Sequence, residues 1–125
     1  MRVQNAAVIG HPIGHTMSPF IHQRLFALEG IPVSYQVLDV PDLPAALPAL
    51  RELDCFNITI PHKSAILPFL AGLEEKARIF GSVNTVKLEN GRMKGYTTDG
   101  ACCYKALHEH VLDFSGHVLL SGSGG

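Results

Sequence analysis

The chain has 125 residues, of which 46% are hydrophobic and 17% charged, and its formal net charge is −1 at pH 7. This length can hold one domain with a real core, and the composition fits a compact α/β domain rather than a disordered chain. The ten basic residues form no cluster, which argues against nucleic acid or an anionic membrane as a partner. Because no leader pattern and no apolar run of transmembrane length is present, the expected location is the cytoplasm.

The cysteines and histidines give no sign of a metal centre. Cys55, Cys102 and Cys103 are odd in number and two of them are adjacent, which suits reduced thiols better than a structural disulfide. His11 and His15 have a metal-like spacing, but a proline and a glycine between them disfavour a helix that would present both. No metal site is predicted.

The first part of the chain is predicted to alternate strands and helices. A strand over residues 3–9 precedes a helix that has Ser18 as its N-cap, Pro19 as its first residue and Gly30 at its end. A second strand over 33–37 and a short helix over 42–51 follow. The first helix carries an apolar stripe at helical period, formed by Phe20, Ile21, Leu25, Phe26 and Leu28.

The third strand is predicted over residues 56–60 and has a polar edge. Ile58 and Ile60 alternate with Asn57 and Thr59, so the apolar and polar pairs should face opposite ways. Pro61 then ends the strand because it has no N–H to donate. An amide, a hydroxyl and the nearby Lys63 ammonium would suit a small polyhydroxylated acid.

The remaining elements complete the predicted fold. One or two helices are expected over 64–80, interrupted near Pro68 and Gly72. A β-hairpin is expected over 83–88 and 93–96 around Asn90-Gly91, followed by a helix over 101–112 and a last strand over 118–120. Strands that alternate with helices predict an α/β fold. We therefore expect a three-layer domain with a mostly parallel sheet that includes an antiparallel hairpin member.

Four polar clusters lie at predicted strand ends or helix starts, where ligand sites of α/β proteins gather. Thr16 and Ser18 could bind a carboxylate at a helix N-terminus, or Ser18 could merely cap and Thr16 be solvated. The strand with Asn57 and Thr59 could equally be an exposed sheet edge. The third cluster is Asn84 with Thr85, and it could instead be a buried amide bonded to backbone. The fourth is Asp99, which could instead be a helix N-cap.

The last residues predict a second kind of site. An apolar strand runs into Gly122, Gly124 and Gly125, as at the start of a dinucleotide-binding βαβ unit, and these glycines are the predicted cofactor-binding residues. The helix that should follow is not in the sequence. We therefore expect a fragment, with a substrate-binding catalytic domain over residues 1–112 and the first strand and Gly-rich turn of a truncated Rossmann domain over residues 113–125.

Taken together, five motifs resemble those of the shikimate dehydrogenase family, in the same order and at the same spacing. They are Gly10-His-Pro-Ile-Gly-His-Thr-Met-Ser-Pro19, Asn57-Ile-Thr-Ile-Pro-His-Lys63, Gly81-Ser-Val-Asn-Thr85, Thr98-Asp-Gly100 and Ser121-Gly-Ser-Gly-Gly125. Two positions depart from the family pattern. Thr16 stands where serine is common, and Thr97 stands where asparagine is usual.

The resemblance implies an N-terminal substrate domain with a six-stranded, mostly parallel sheet. It implies NADP-dependent, reversible reduction of 3-dehydroshikimate to shikimate in aromatic amino-acid (chorismate) biosynthesis. The chain alone is expected to be inactive and not to bind NADP, and a homodimer is left open. The implied residues fall into three groups: Thr16 and Ser18 for the carboxylate, Asn57, Thr59 and Asn84 for ring hydroxyls or for ordering the site, and Lys63 and Asp99 as the catalytic pair, which also contacts substrate.

Three other functions remain open at this stage. A quinate/shikimate dehydrogenase that uses NAD would share these motifs, and so would a non-catalytic hydroxy-acid-binding domain. The presence of both Lys63 and Asp99 counts against the second, because a pure binder has less need of that pair. The substrate domain of a folate dehydrogenase is more distant, since the hydroxyls of Thr16 and Ser18 suit a small carboxylate better than a pteridine.

Overall fold

The computed structural model describes residues 3–110, 115–117, 119 and 121. Its strands form a six-stranded sheet in the order β2-β1-β3-β5-β6-β4. The strands are β1 (Asn5–Gly10), β2 (Ser34–Asp39), β3 (Cys55–Ile58), β4 (Gly72–Leu73), β5 (Thr85–Glu89) and β6 (Arg92–Tyr96). The helices are α1 (Ser18–Leu28), α2 (Leu43–Leu50), α3 (His62–Ala65), α4 (Glu75–Phe80) and α5 (Asp99–His110), with a 3₁₀ turn over Leu67–Phe69.

The sheet is mostly parallel, as the sequence predicts. β1 lies between β2 and β3 and runs parallel to both, β4 runs parallel to β6, and β5 is antiparallel to its neighbours β3 and β6. The turn between β5 and β6 is the predicted one, and Asn90 and Gly91 both have positive φ, at 52° and 71°. Positive φ at both central residues is the geometry that favours Asn-Gly in tight hairpins.

Two apolar cores cover the two faces of the sheet, which confirms the three-layer α/β architecture. Residues of β1 alternate between them: Ala7 and Ile9 belong to the larger core with Phe56, and Ala6 and Val8 to the smaller core. Helix α2 contributes to the larger core, whereas Phe26 of α1 packs against the smaller one. Because β1 is buried on both faces, it has the continuous apolar sequence typical of a central parallel strand.

Helix α1 differs from its prediction in two ways. Met17 rather than Ser18 occupies the N-cap position, and the Oγ1 atom of Thr16 accepts a hydrogen bond of 3.2 Å from the backbone N–H of Ser18. The apolar stripe is not buried, since Phe20 is 67% exposed and Leu28 is 72% exposed. Helical period alone does not say whether an apolar face is covered.

Strand predictions were wrong at two other places. β3 ends at Ile58, so Ile60 lies beyond the ladder and is 71% exposed instead of sharing the buried side of Ile58. One or two helices were expected over residues 64–80 with interruptions near Pro68 and Gly72, and the interruption at Gly72 is the strand β4, next to which Ala71 N–H donates to Met93 O at 2.8 Å. A two-residue strand is too short to produce a periodic signal.

Among the residues that the structure describes, no helix is long and apolar enough to cross a membrane. The same residues contain no group of three or more His, Cys, Asp or Glu side chains placed to hold a metal ion. The predicted strand over 118–120 and the predicted cofactor glycines Gly122, Gly124 and Gly125 lie outside the described residues.

Candidate active site

A cavity of about 340 Å³ lies at the end of β3, beside the first turns of α1 and α5. Its volume is within the range of about 300–1,000 Å³ that small-molecule sites occupy. The polar lining residues are Ser18, His22, Asn57, Thr59, Lys63, Asn84, Thr85, Thr98 and Asp99. The structure thus brings together the predicted substrate-binding and catalytic residues, with the exception of Thr16.

Thr16 lines an adjoining depression instead. That depression also contains His11, Ile13 and His15, and Thr59 borders both it and the main cavity. The Thr16 hydroxyl accepts from the first backbone N–H of α1, so part of its hydrogen-bonding capacity serves the helix start. The sequence spacing of two residues between Thr16 and Ser18 does not put them into one cavity.

Lys63 and Asp99 form an ion pair at the cavity wall. The Nζ atom of Lys63 lies 2.5 Å from Oδ2 of Asp99, and the lysine side chain is 21% exposed against 52% for the aspartate. An ammonium has three N–H groups, and the described contacts use only one of them, on Asp99. The pair therefore has donors left for a ligand.

Local packing explains why Lys63 points at α5. Its neighbour His62 is buried, and Nε2 of that ring donates to the Val40 carbonyl oxygen at 2.6 Å, since a carbonyl can only accept. The backbone carbonyl of Lys63 accepts from Val83 N–H at 2.8 Å. These two bonds fix α3 between the end of β2 and the segment that leads into β5.

The carboxyl group of Asp99 has a lowered pKa. Burial acts to raise the pKa, but the hydrogen bonds from Lys63 and Asn84 and the charge of Lys63 together outweigh it. Asp99 is therefore an ionised acceptor at neutral pH. An ionised carboxylate beside the Lys63 ammonium forms a charge-assisted hydrogen bond that orients the lysine side chain.

Asn84 is fully engaged by protein groups. Its Nδ2 donates to Thr98 Oγ1 at 2.8 Å and to Asp99 Oδ1 at 2.7 Å. Its Oδ1 accepts from the Thr85 hydroxyl at 3.1 Å and from Thr98 N–H at 3.3 Å. An amide offers two hydrogens and two acceptor positions, so this arrangement favours ordering of Asp99 over direct contact with a ligand.

Sequence reasoning missed two side chains that complete the site, Tyr35 and His22, and gave Thr85 no role of its own beside Asn84. Tyr35 of β2 donates to Oδ1 of Asn57 at 2.8 Å, and Nδ2 of Asn57 donates to Thr85 at 3.1 Å. His22 lines the cavity and stacks on the ring of Tyr35 with 4.5 Å between centroids. Thr85 stands beside Asn84 in its motif, but nothing local marks Tyr35 or His22.

Comparisons with known proteins agree with this geometry. Residues 8–86 match the model of the shikimate dehydrogenase substrate-binding domain family. A shikimate dehydrogenase (NADP⁺) of Exiguobacterium sp. is 46% identical over 125 residues, which cover 97% of this chain and 48% of that protein. The chain thus spans about half the length of this curated relative.

Solved structures give the same result. The shikimate dehydrogenase of Aquifex aeolicus superimposes with a TM-score of 0.84 at 32% identity, over 89% of this chain and 43% of that one. The shikimate 5-dehydrogenase of Thermus thermophilus in complex with NADP(H) and shikimate superimposes with a TM-score of 0.81 at 34% identity, over 86% and 42%. The chain therefore belongs to the shikimate dehydrogenase family and corresponds to its N-terminal substrate-binding domain.

Proposed function

We propose that this domain binds shikimate and 3-dehydroshikimate for an NADP-dependent dehydrogenase of aromatic amino-acid biosynthesis. The observation that carries the proposal is the Lys63–Asp99 ion pair in the wall of a cavity lined by hydroxyl and amide groups. The Thermus thermophilus relative was solved with shikimate and NADP(H), which supports the same ligands here.

The ion pair supplies the acid–base part of a ketone reduction. When bound, NADPH would give a hydride to the carbonyl carbon. As the C=O π bond becomes an alkoxide, a proton leaves the Lys63 ammonium for that oxygen, and shikimate results. Before transfer, the ammonium stabilises the developing negative charge. In the oxidative direction the neutral lysine accepts the hydroxyl proton, and Asp99 stabilises the ammonium that forms.

The lining of the cavity suits a small polyol acid. Asn57 has one Nδ2 hydrogen beyond its bond to Thr85, and Thr59 and Ser18 contribute hydroxyls. We propose that Ser18 and Thr16 hold the carboxylate, because Thr59 lies between the cavity and the depression that contains Thr16. In this proposal the ring would lie over β3 and the reacting oxygen near Lys63.

The domain division and the cofactor site are part of the proposal. The substrate domain would comprise residues 1–112, and residues 113–125 would begin the NADP-binding domain with Gly122, Gly124 and Gly125. Three glycines without a following helix lack the N-terminal dipole and the adenosine contacts. We therefore expect NADP not to bind to the 125-residue chain and the chain not to turn over substrate.

We also propose a cytoplasmic location and a homodimeric assembly. The net charge of −1 and the absence of a basic cluster support a cytoplasmic protein without nucleic-acid partners. A homodimer would offer one way to cover the exposed apolar side chains Phe20, Ile21, Leu25 and Leu28 of α1. Sedimentation of the chain at several concentrations tests this, and a monomer at all of them would exclude the homodimer.

Calorimetric titration tests the function directly. Shikimate should bind the 125-residue chain weakly, because no second domain closes the cleft and excludes water. Quinate and NADP, titrated separately, distinguish the quinate-preferring alternative and test the cofactor expectation. Asn57→Leu should abolish shikimate binding, whereas the matched change Asn5→Leu at the exposed first residue of β1 should not. If Asn57→Leu binds shikimate as well as the original chain, the cavity is not the site.

A further inference from the structure

A row of hydrogen bonds crosses the sheet and ends at the ion pair. It joins the Tyr35 hydroxyl to Asn57 at 2.8 Å, Asn57 to Thr85 at 3.1 Å, Thr85 to Asn84 at 3.1 Å, and Asn84 to Asp99 at 2.7 Å. Asn57 and Thr85 are direct partners in the ladder of β3 and β5. Tyr35 comes from β2, two strand spacings or about 10 Å from β3.

The position of Tyr35 explains how it spans that distance. In the ladder of β1 and β2 it is paired with Ala6, which is paired with Cys55 on the other side of β1. Tyr35, Ala6 and Val8 belong to the same apolar cluster. The small side chain of Ala6 leaves room for the ring to lie across β1, so that the hydroxyl reaches Asn57.

The chemistry of the groups gives the row one direction. The ionised Asp99 can only accept, so Asn84 must present Nδ2 to it and Oδ1 to Thr85. Thr85 must then donate to Asn84 and accept from Nδ2 of Asn57. This leaves Oδ1 of Asn57 facing Tyr35, which must donate. Each donor therefore points toward Asp99, and the Tyr35 hydroxyl is the first donor of the row.

The surroundings of Tyr35 keep its hydroxyl protonated and its ring in a fixed position. It is buried, and burial raises its pKa to about 12, against a smaller lowering by a hydrogen bond with the Ser18 side chain. Its ring stacks on His22 with an interplanar angle of 6°, and Nδ1 of His22 donates to the Ser18 carbonyl at 2.9 Å. Tyr35 thus connects the helix that carries Ser18 to the strand that carries Asn57.

We propose that Tyr35 is a positioning residue for this site, one that fixes the amide of Asn57 and, through Thr85, the contact of Asn84 with Asp99. The inference rests on the proposed function, because the site it orders is the one assigned to shikimate. With Oδ1 of Asn57 fixed toward Tyr35, the Nδ2 hydrogen that Thr85 does not use has a defined position and can donate to a ligand. Tyr35 would therefore select for a hydroxyl oxygen that accepts at that position. Without it the Asn57 amide is held only by the hydrogen bond from its Nδ2 to Thr85, so its position is less fixed.

Tyr35→Phe in the 125-residue chain tests the inference by NMR. We expect the side-chain amide signals of Asn57 and Asn84 to move, and the carboxyl titration of Asp99 to shift to higher pH as its donor loosens. Shikimate affinity should fall roughly 2- to 12-fold, the effect of one net hydrogen bond. The control is Tyr96→Phe, since Tyr96 keeps its ring contact with Lys94 after the change and should leave all three readouts unchanged.

Two further measurements settle the remaining outcomes. Thr85→Val removes the hydroxyl that joins Asn57 to Asn84 in the row, so it should shift the Asp99 titration. In the double variant, Tyr35→Phe should shift that titration no further. If Tyr35→Phe does not fold, Thr85→Val decides by itself. An unchanged Asp99 titration in the folded variant, or an equal change in Tyr96→Phe, overturns the inference. If shikimate does not bind the original chain, only the proposed function is contradicted. The amide signals of Asn57 and Asn84 and the titration of Asp99 still test the role of Tyr35, because they are measured without ligand.

Discussion

Gly10→Ala should damage the site through a direct steric clash. Gly10 is the last residue of β1, and its carbonyl accepts from Val40 N–H at 2.9 Å. A Cβ atom at this position would lie 2.5 Å from Cγ2 of Thr59 and 2.9 Å from the carbonyl oxygen of Ile60. Both distances are well below van der Waals contact, and one of them involves backbone. The segment that follows β3 must therefore move.

The expected cost follows from overpacking. Forcing an extra methyl group into a packed region typically destabilises a protein by about 1–3 kcal/mol. The upper part of that range applies here, because Thr59 N–H donates to Ile9 O at 2.9 Å and His11 N–H donates to Ile60 O at 3.0 Å, so two hydrogen bonds resist the movement. Displacement of Thr59 also widens the cavity wall, so shikimate affinity should fall together with stability.

Gly14→Ala provides the matched control in the same loop. A Cβ atom at Gly14 would have no heavy atom within 4 Å, so this change should leave the free energy of unfolding within about 0.5 kcal/mol, as surface substitutions usually do. Urea unfolding of the original chain and both variants gives the comparison, and calorimetry gives shikimate affinity. Equal stability and affinity of Gly10→Ala and Gly14→Ala would refute the steric argument.

Two other changes test separate parts of the account. In a longer protein with a complete cofactor domain, Lys63→Ala should lower turnover about 10²–10⁴-fold. It should keep much of the shikimate affinity, because the lysine acts mainly on the alkoxide that forms in the transition state. A normal rate with a raised KM would make Lys63 a binding residue only. Hydrogen bonds from the backbone of Asn5 and Gln4 lower the pKa of Asp54 from 3.8. That carboxylate stabilises the fold above about pH 3.8 and loses its effect as the pH falls through its lower folded value. Asp54→Asn should therefore reduce the acid sensitivity of urea unfolding below about pH 5, and an unchanged dependence would contradict this.

Local signals in the sequence predicted most of the framework. Asn90-Gly91 marks a hairpin because few other residues adopt positive φ in succession, and the alternation around Asn57 marks the polar edge of β3. The four polar clusters were found because each follows a strand or precedes a helix, and sites of α/β proteins collect there. Their common cavity, apart from Thr16, depends on the strand order β2-β1-β3-β5-β6-β4, which no local pattern determines.

What the sequence could not predict depends on contacts between distant residues. Tyr35 reaches Asn57 across β1, and the residues are 22 apart in the chain, so no local pattern connects them. The N-cap of α1 shifted to Met17 because Thr16 rather than Ser18 accepts a backbone hydrogen bond at the helix start. β4 is defined by its pairing with β6 and not by its own two residues.

A crystal structure of the 125-residue chain with shikimate tests the central claim most directly. We predict that the ring occupies the cavity beside β3, with the hydroxyl that becomes the ketone of 3-dehydroshikimate about 2.6–3.2 Å from Nζ of Lys63. Lys63 should also keep its contact with Asp99. Shikimate bound elsewhere on the domain, or bound in this cavity with another part of the molecule against Lys63, would contradict the assignment of Lys63 and Asp99 as the catalytic pair.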